Sequence, residues 1–195
     1  FAIASMSKSV TASAVLLLVQ DGRLKLDDPV RKYLADVPAS WDAMAVRQLL
    51  SHTSGVKDHF SVFPNYPRLG IDKHVSYTNQ EYVKAHIDAP LNFAPGAEWA
   101  YSGGGYVILG AIIERITGHP YGDYLRDRIF TPLGMTDTHI INVADIIPNR
   151  ASGYWFKDGR VRNGEYMAQA HLGGPDVGVI TTATDLARWT IALNG

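Results

Sequence analysis

The alternation of apolar and polar positions along the chain predicts a fold made mostly of helices. Residues 5–19 begin polar and become apolar nearly all round, which is typical of a buried helix, and Gly22 supplies a stop signal. A second long stretch begins at Ser102, carries apolar residues three and four positions apart, and ends at Gly118. We therefore predict two long helices, of which the first is buried and the second has one apolar stripe.

Shorter helices and one hairpin complete the predicted elements. Thr78-Asn79-Gln80-Glu81 has the spacing of a capping box and predicts a helix to about Asp88. Residues 56–77 show no clear period and are predicted to be a loop. Further helices are predicted at 29–34, 45–51, 121–130 and 185–193, and a strand entering a hairpin turn at 151–160. The result is one domain, residues 1–195, with 1–139 mainly helical and 140–195 mixed.

The composition excludes several classes of function. The chain has 18 Lys+Arg against 19 Asp+Glu, so a nucleic acid or an anionic membrane is not expected as the main partner. The absence of cysteine excludes a disulfide framework and a thiol nucleophile. The seven histidines never form His-x-His or His-Glu-x-x-His, so a zinc hydrolase has little support. The apolar residues 10–19 are too few to span a bilayer, and no membrane-spanning segment is predicted.

Ser5-Met6-Ser7-Lys8 is the sharpest candidate for chemistry. Positions three apart share one face of a helix, which brings Lys8 beside the Ser5 hydroxyl. A nearby amine can activate a serine, and the start of a helix favours a developing oxyanion. The spacing alone is weak evidence, because it also occurs in Ser54-Gly55-Val56-Lys57. There, Gly55 is a helix stop and is expected to break the geometry.

A second candidate is Tyr101, in Tyr101-Ser102-Gly103. A tyrosine held next to a lysine ammonium can relay protons to a leaving group. The alternative is an aromatic residue that only packs on the core, which is the default for a single tyrosine.

Several motifs together resemble one known family. The chain is similar to serine β-lactamases of the class C type and to the related penicillin-binding proteins and carboxylesterases. The motifs, in chain order, are residues 1–11 around Ser5, residues 20–30, Leu49-Leu50-Ser51-His52-Thr53-Ser54-Gly55, Pro95-Gly96 leading to Tyr101-Ser102, Pro132-Leu133-Gly134-Met135-Thr136-Asp137-Thr138, and Gly173-Gly174 followed by Thr181-Thr182-Ala183-Thr184-Asp185-Leu186-Ala187. The similarity runs from the first residue to the last.

The resemblance implies an α+β fold of the β-lactamase and penicillin-binding-protein (transpeptidase-like) type. It implies that Ser5 is the acylated nucleophile and that Lys8 and Tyr101 are jointly the base system. Five residues are assigned to substrate binding: Ser102, Gly103, Phe60, Tyr154 and Trp155. For Phe60, Tyr154 and Trp155, and for the neighbouring His59, Phe63 and Tyr66, packing alone is an equal alternative. No metal or organic cofactor is implied.

The expected substrate is a β-lactam, a peptide of the D-Ala-D-Ala type, as in peptidoglycan, or a carboxylic ester. Gly103 stands where the family usually has Asn, a change that an esterase should tolerate best. The family also has a third motif, Lys-Thr-Gly or His-x-Gly, on a strand well downstream, and neither form of it is expected within residues 1–195. We therefore expect a truncated domain that lacks much of the antiparallel sheet, with Phe1 an internal position of a longer product.

Two alternatives remain open at this stage. One is a catalytically silent fragment or binding module of the same fold. The other is an α/β-hydrolase in which Ser102 is the nucleophile, because Ala100-Tyr101-Ser102-Gly103-Gly104 nearly matches Gly-x-Ser-x-Gly. By resemblance the compartment is periplasmic or secreted, although a cytoplasmic location and any oligomeric state are also compatible with the sequence.

Overall fold

The computed structural model describes residues 1–58, 78–142, 145–164 and 174–195. Within these ranges the helices are α1 (Ser7–Gln20), α2 (Val46–Leu50), α3 (Asn79–Ile87), α4 (Gly103–Thr117), α5 (Tyr121–Leu125) and α6 (Ala183–Asn194). The strands are β1 (His139–Ile140), β2 (Tyr154–Lys157), β3 (Arg160–Asn163) and β4 (Val179–Ile180). Single 3-10 turns cover Ala4–Met6, Val30–Lys32 and Ala39–Trp41. In the part of the chain that the structure describes, every helix is too short or too polar to span a lipid bilayer.

Helix α4 is the centre of the packing. Its residues 103–113 are all buried, which explains why its sequence is apolar nearly all round. It packs against α1, α2, α3 and α5. Ser102 caps its first turn by accepting the backbone N–H of Gly105 at 3.1 Å, and Gly118 ends it with φ +75°. Both predicted boundaries of this helix are confirmed.

The described strands form two small antiparallel sheets. In the first, β1 pairs with β4, and Ala2 adds an isolated bridge to Ile180. In the second, β2 and β3 form a hairpin around Asp158-Gly159, where both residues have positive φ. The hairpin is exposed along its whole length. The expected α+β character, mostly helical with little sheet, is confirmed.

Three predicted elements differ in detail. The predicted helix at 29–34 is a single 3-10 turn, with Pro29 as its extended N-cap residue. The predicted helix at 121–130 is helical only to Leu125 and continues as a π turn over Arg126–Phe130. Helix α6 begins two residues earlier than expected, because the Thr182 hydroxyl accepts the Asp185 N–H and acts as the cap.

The predicted capping box at the start of α3 is confirmed and gives a first testable prediction. Thr78 Oγ1 accepts the Glu81 N–H at 3.2 Å, and Glu81 Oε2 accepts the Thr78 N–H at 2.7 Å. Replacing Thr78 by alanine leaves an N–H of the first turn without its acceptor, which should lower the free energy of unfolding by about 1 kcal/mol. Urea denaturation measures this. Replacing the exposed neighbour Gln80 by alanine is the control and should change stability by less than about 0.5 kcal/mol.

Candidate active site

Ser5 lies where an extended segment turns sharply into helix α1. The extended segment pairs with β4, since Ile3 N–H donates to the Val179 carbonyl at 3.1 Å. The next residue, Ala4, has φ +46°, in the left-handed region that is costly for any residue with a Cβ. The pairing of Ile3 with Val179 before Ala4 and helix α1 after it hold the left-handed conformation of Ala4. As a result Ser5 is exposed at the start of the helix.

The structure brings Ser5, Lys8 and Tyr101 together. The Ser5 Oγ lies 2.7 Å from the Tyr101 hydroxyl, and Lys8 Nζ donates to the same Oγ at 3.3 Å. Lys8 is 7% exposed, whereas Tyr101 is 45% exposed, so the hydroxyl pair faces solvent while the amine lies beneath it. Lys8 Nζ also lies 5.0 Å from the centre of the Tyr101 ring. One oxygen is thus in contact with two groups that can accept or donate a proton.

His52 holds Tyr101 in place from the side. The two rings are in contact, with 4.6 Å between their centroids and an angle of 34° between their planes. The His52 carbonyl accepts the Ala100 N–H at 3.0 Å, and its Nδ1 accepts the Ser102 N–H at 3.2 Å, so both neighbours of Tyr101 are anchored. Burial, and then the nearby charge of Lys8, lower the pKa of His52 below 6.5, which favours the neutral ring that this acceptor role needs.

Tyr106 also packs against His52 and Lys8, but its hydroxyl is bonded elsewhere. Its hydroxyl donates to the Leu50 carbonyl at 3.0 Å, and burial, followed by the effect of Tyr101, raises its pKa. Lys8 Nζ lies 5.6 Å from its ring centre. Tyr106 therefore supports the site without directing its hydroxyl at Ser5.

These contacts predict unequal effects for two Tyr→Phe replacements. Tyr101→Phe removes the group that contacts Ser5 Oγ, and acylation by a fluorophosphonate should slow by about 100- to 10,000-fold, the usual contribution of a positioned proton acceptor. Tyr106→Phe is the control and should slow acylation less than tenfold. The rates are measured by intact mass spectrometry over time. Equal effects of the two replacements would contradict the assignment of Tyr101.

Ser102 and Gly103 are both buried, and their polar groups have protein partners. Ser102 Oγ caps α4 and donates to the Lys57 carbonyl at 3.3 Å, and the Gly103 N–H donates to Asp58 Oδ2 at 2.8 Å. Their roles in substrate binding stay predictions. The alternative with Ser102 as the nucleophile is disfavoured, because the Ser102 side chain is only 1% exposed and its hydroxyl caps helix α4.

The second Ser-x-x-Lys spacing behaves as expected. Gly55 has φ +77°, so residues 54–57 are not helical. Ser54 is buried, and its Oγ accepts the Val56 N–H at 3.3 Å. The predicted loss of the helical geometry at this pair is confirmed.

The remaining assigned residues lie apart from the contacts above or outside the described residues. Tyr154 and Trp155 are in the exposed hairpin, 64% and 62% exposed, and their place in an acyl pocket stays a prediction. Phe60, with His59, Phe63 and Tyr66, lies outside the described residues. The expectation that the chain has no His-x-Gly is wrong, because His171-Leu172-Gly173 has this spacing; these three residues likewise lie outside the described ones.

Two residues next to Ser5, Lys8 and Tyr101 were not assigned to the site from the sequence. His52 was expected only as a hydrogen-bonded loop residue, and the motif around it gave the one available signal. Asp176 was not singled out at all, although its carbonyl accepts a hydrogen bond from Lys8 Nζ at 2.9 Å. No local spacing could indicate it, because 168 residues separate the two in sequence.

Comparison with known proteins gives the family. The beta-lactamase family model matches residues 1–195. Penicillin-binding protein 4* of Bacillus subtilis is 36% identical over 157 residues, 79% of this chain and 33% of that protein. Esterase EstB of Burkholderia gladioli is 36% identical over 155 residues, 73% of this chain and 38% of that protein.

A solved structure agrees with these matches. The D-amino acid amidase of Ochrobactrum anthropi SV3 superimposes with a TM-score of 0.83 and 33% identity, over 100% of this chain and 54% of the amidase. The chain thus spans about a third of the two curated relatives and about half of the amidase. The family model covers every residue, and relatives of three kinds are 33–36% identical to this chain. The chain therefore belongs to the beta-lactamase family of serine hydrolases and penicillin-binding proteins.

Proposed function

We propose that this chain carries the nucleophile centre of a hydrolase that works through an acyl-enzyme on Ser5. The observation that supports this most is the contact of one exposed hydroxyl, Ser5 Oγ, with both the Tyr101 hydroxyl and Lys8 Nζ. Hydrogen-bond contact between a nucleophile and its base is the arrangement that covalent catalysis requires.

The reaction would proceed in two stages. Ser5 Oγ attacks a carbonyl carbon, its proton passes to the Lys8 and Tyr101 pair, and the pair returns a proton to the leaving group. The Ser5 N–H at the start of the helix is suited to bind the oxyanion. Water then attacks the acyl-enzyme and releases the acid. No step in this scheme calls for a metal or an organic cofactor.

The substrate is proposed as a β-lactam, a peptide of the D-Ala-D-Ala type or a carboxylic ester. The names of the relatives span the same range, since they include a penicillin-binding protein, an esterase and an amidase. The buried Gly103 offers no side chain to bind a substrate amide, which favours the ester within this range. A silent fragment or binding module of the same fold is the competing proposal, because the chain has no Lys-Thr-Gly.

The classes can be separated by incubating the chain with benzylpenicillin and, separately, with a p-nitrophenyl ester. Intact mass would follow the covalent adduct and absorbance would follow p-nitrophenol release. An ester turned over without a stable penicillin adduct is the expected result. A stoichiometric penicillin adduct would favour penicillin-binding chemistry. The absence of both the adduct and p-nitrophenol release would favour the silent module.

A further inference from the structure

Two motifs that the proposed function leaves without a role, residues 132–138 and 181–187, meet at the carboxylate of Asp185. The Asp185 side chain is completely buried. Its Oδ2 accepts the Asp137 N–H at 2.9 Å and the Thr138 hydroxyl proton at 2.9 Å. Both donors belong to the first motif, and both lose their acceptor if this carboxylate is removed.

The hydroxyl of Thr138 connects Asp185 to strand β4. Thr138 Oγ1 lies 2.7 Å from Thr181 Oγ1, and both residues are buried. A hydroxyl has a single proton to donate. Because Thr138 donates its proton to Asp185, it accepts the hydrogen bond from Thr181. Thr181 follows directly on β4, so the Asp185 carboxylate holds the end of this strand.

Strand β4 is bonded to the chain on both sides of Ser5. Before Ser5, the Ile3 N–H donates to the Val179 carbonyl at 3.1 Å. After Ser5, the Oγ of the buried Ser7 accepts the Val179 N–H at 3.0 Å. The position of β4 therefore determines where the extended segment ends and where helix α1 begins.

The turn between these two bonds needs such support. Ala4 has φ +46°, a conformation that costs free energy in a residue with a Cβ and persists only where the surroundings hold it. If β4 shifted, Ala4 could relax, and Ser5 Oγ would move away from the Tyr101 hydroxyl, which is 2.7 Å away. A displacement near 1 Å at a reacting atom can slow a reaction by about 100-fold.

We propose that Asp185 is a positioning residue of the nucleophile centre: through Thr138 and β4, its buried carboxylate holds the turn that presents Ser5. This rests on the proposed function and adds to it the part of the chain that fixes the nucleophile. The role of Asp185 is to hold the backbone, and no proton of the reaction passes through it.

The test compares the rate constant of fluorophosphonate labelling with its final extent, both followed by intact mass. Asp185→Ala should lower the rate constant by about 10- to 100-fold, while the extent stays at one adduct per chain. Thr138→Val breaks the hydroxyl connection alone and should act in the same direction by a smaller factor. Each variant is assayed at a temperature at which circular dichroism shows it folded. A loss of stability alone then leaves the rate constant of the folded chain unchanged.

Arg188→Met is the matched control, because it removes another contact of the same carboxylate. Arg188 Nη1 donates to Asp185 Oδ1 at 2.5 Å, but the arginine side chain is 46% exposed, and this contact does not lead to β4. The labelling rate of this variant should stay within about twofold of the parent, since such exposed ion pairs contribute little. Thr78→Ala, which lowers stability at α3, should also leave the rate unchanged.

Amide hydrogen exchange measured by NMR follows the support itself, without any reaction. In Asp185→Ala the N–H groups of Ile3 and Val179 should exchange at least about tenfold faster than in the parent, because their local opening becomes easier. The amides of α3 should exchange as in the parent. Arg188→Met should leave the exchange at Ile3 and Val179 unchanged.

The possible outcomes separate this inference from the proposed function. An unchanged labelling rate in a folded Asp185→Ala overturns the role of Asp185, and so does unchanged exchange at Ile3 and Val179. If Asp185→Ala does not fold, Thr138→Val decides by the same two measurements. A parent that takes no reagent contradicts the proposed function, and the exchange rates alone then decide whether Asp185 holds the turn.

Discussion

Replacing Ser5 by alanine is expected to abolish covalent labelling by a fluorophosphonate while leaving the fold intact. Ser5 is exposed, and its hydroxyl contacts the side chains of Tyr101 and Lys8 at the surface of the site, so the loss of this hydroxyl leaves the core unchanged. The expected adduct falls from one per chain to none, because the atom that forms the bond is gone. Intact mass measures the adduct, and thermal unfolding verifies the fold.

Ser54→Ala is the matched control for this experiment. Ser54 also precedes a lysine by three positions, but it is buried and lies in a non-helical segment. This variant should be labelled as completely as the parent. If Ser5→Ala still took up one equivalent of reagent, the nucleophile would have to be sought elsewhere in the chain.

Gly110→Ala is expected to lower both the stability and the acylation rate, although it lies in neither the nucleophile motif nor its contacts. A Cβ at Gly110 would lie 2.1 Å from Cγ and 2.9 Å from Cβ of Pro175, so the segment that begins there must move. Overpacking of this kind costs about 1–3 kcal/mol, which outweighs the gain of about 1 kcal/mol in helix propensity. Because Asp176 follows Pro175 and contacts Lys8, a displacement near 1 Å can also slow acylation by about 100-fold.

Gly105→Ala provides the control within the same helix. Gly105 is also buried, but the nearest atom to a Cβ there is the Leu49 carbonyl oxygen at 3.5 Å, an ordinary contact. This variant should be as stable as the parent or slightly more stable. Urea denaturation and the rate of fluorophosphonate labelling compare the two. Equal behaviour of the two variants would mean that the packing of Pro175 on α4 does not control the site.

The elements that the sequence predicted well are those with local signals. The capping box at Thr78 and the boundaries of α4 at Ser102 and Gly118 each depend on residues within one helical turn. The Ser5 and Lys8 contact follows in the same way from a spacing of three. The π turn at Arg126–Phe130 was missed, because nothing in its local pattern differs from that of an α-helix.

The rest of the site depends on contacts between distant parts of the chain. Tyr101 was assigned by resemblance, since no spacing rule connects it to Ser5 across 96 residues. The pairing of β1 with β4 and the contact of Asp176 with Lys8 likewise arise only after α1, α4 and the segment 175–179 have packed. Such contacts are determined by tertiary packing, which hydrophobic periodicity does not specify.

The central claim is that Ser5 is the nucleophile, and the most direct test is to locate a fluorophosphonate adduct by peptide mass spectrometry. Trypsin separates the three candidate serines into residues 1–8, 48–57 and 85–115, which contain Ser5, Ser54 and Ser102 respectively. Fragmentation of the first peptide distinguishes Ser5 from Ser7. One adduct per chain is expected, on Ser5. An adduct on Ser102 would instead support an α/β-hydrolase type of nucleophile and would contradict the account.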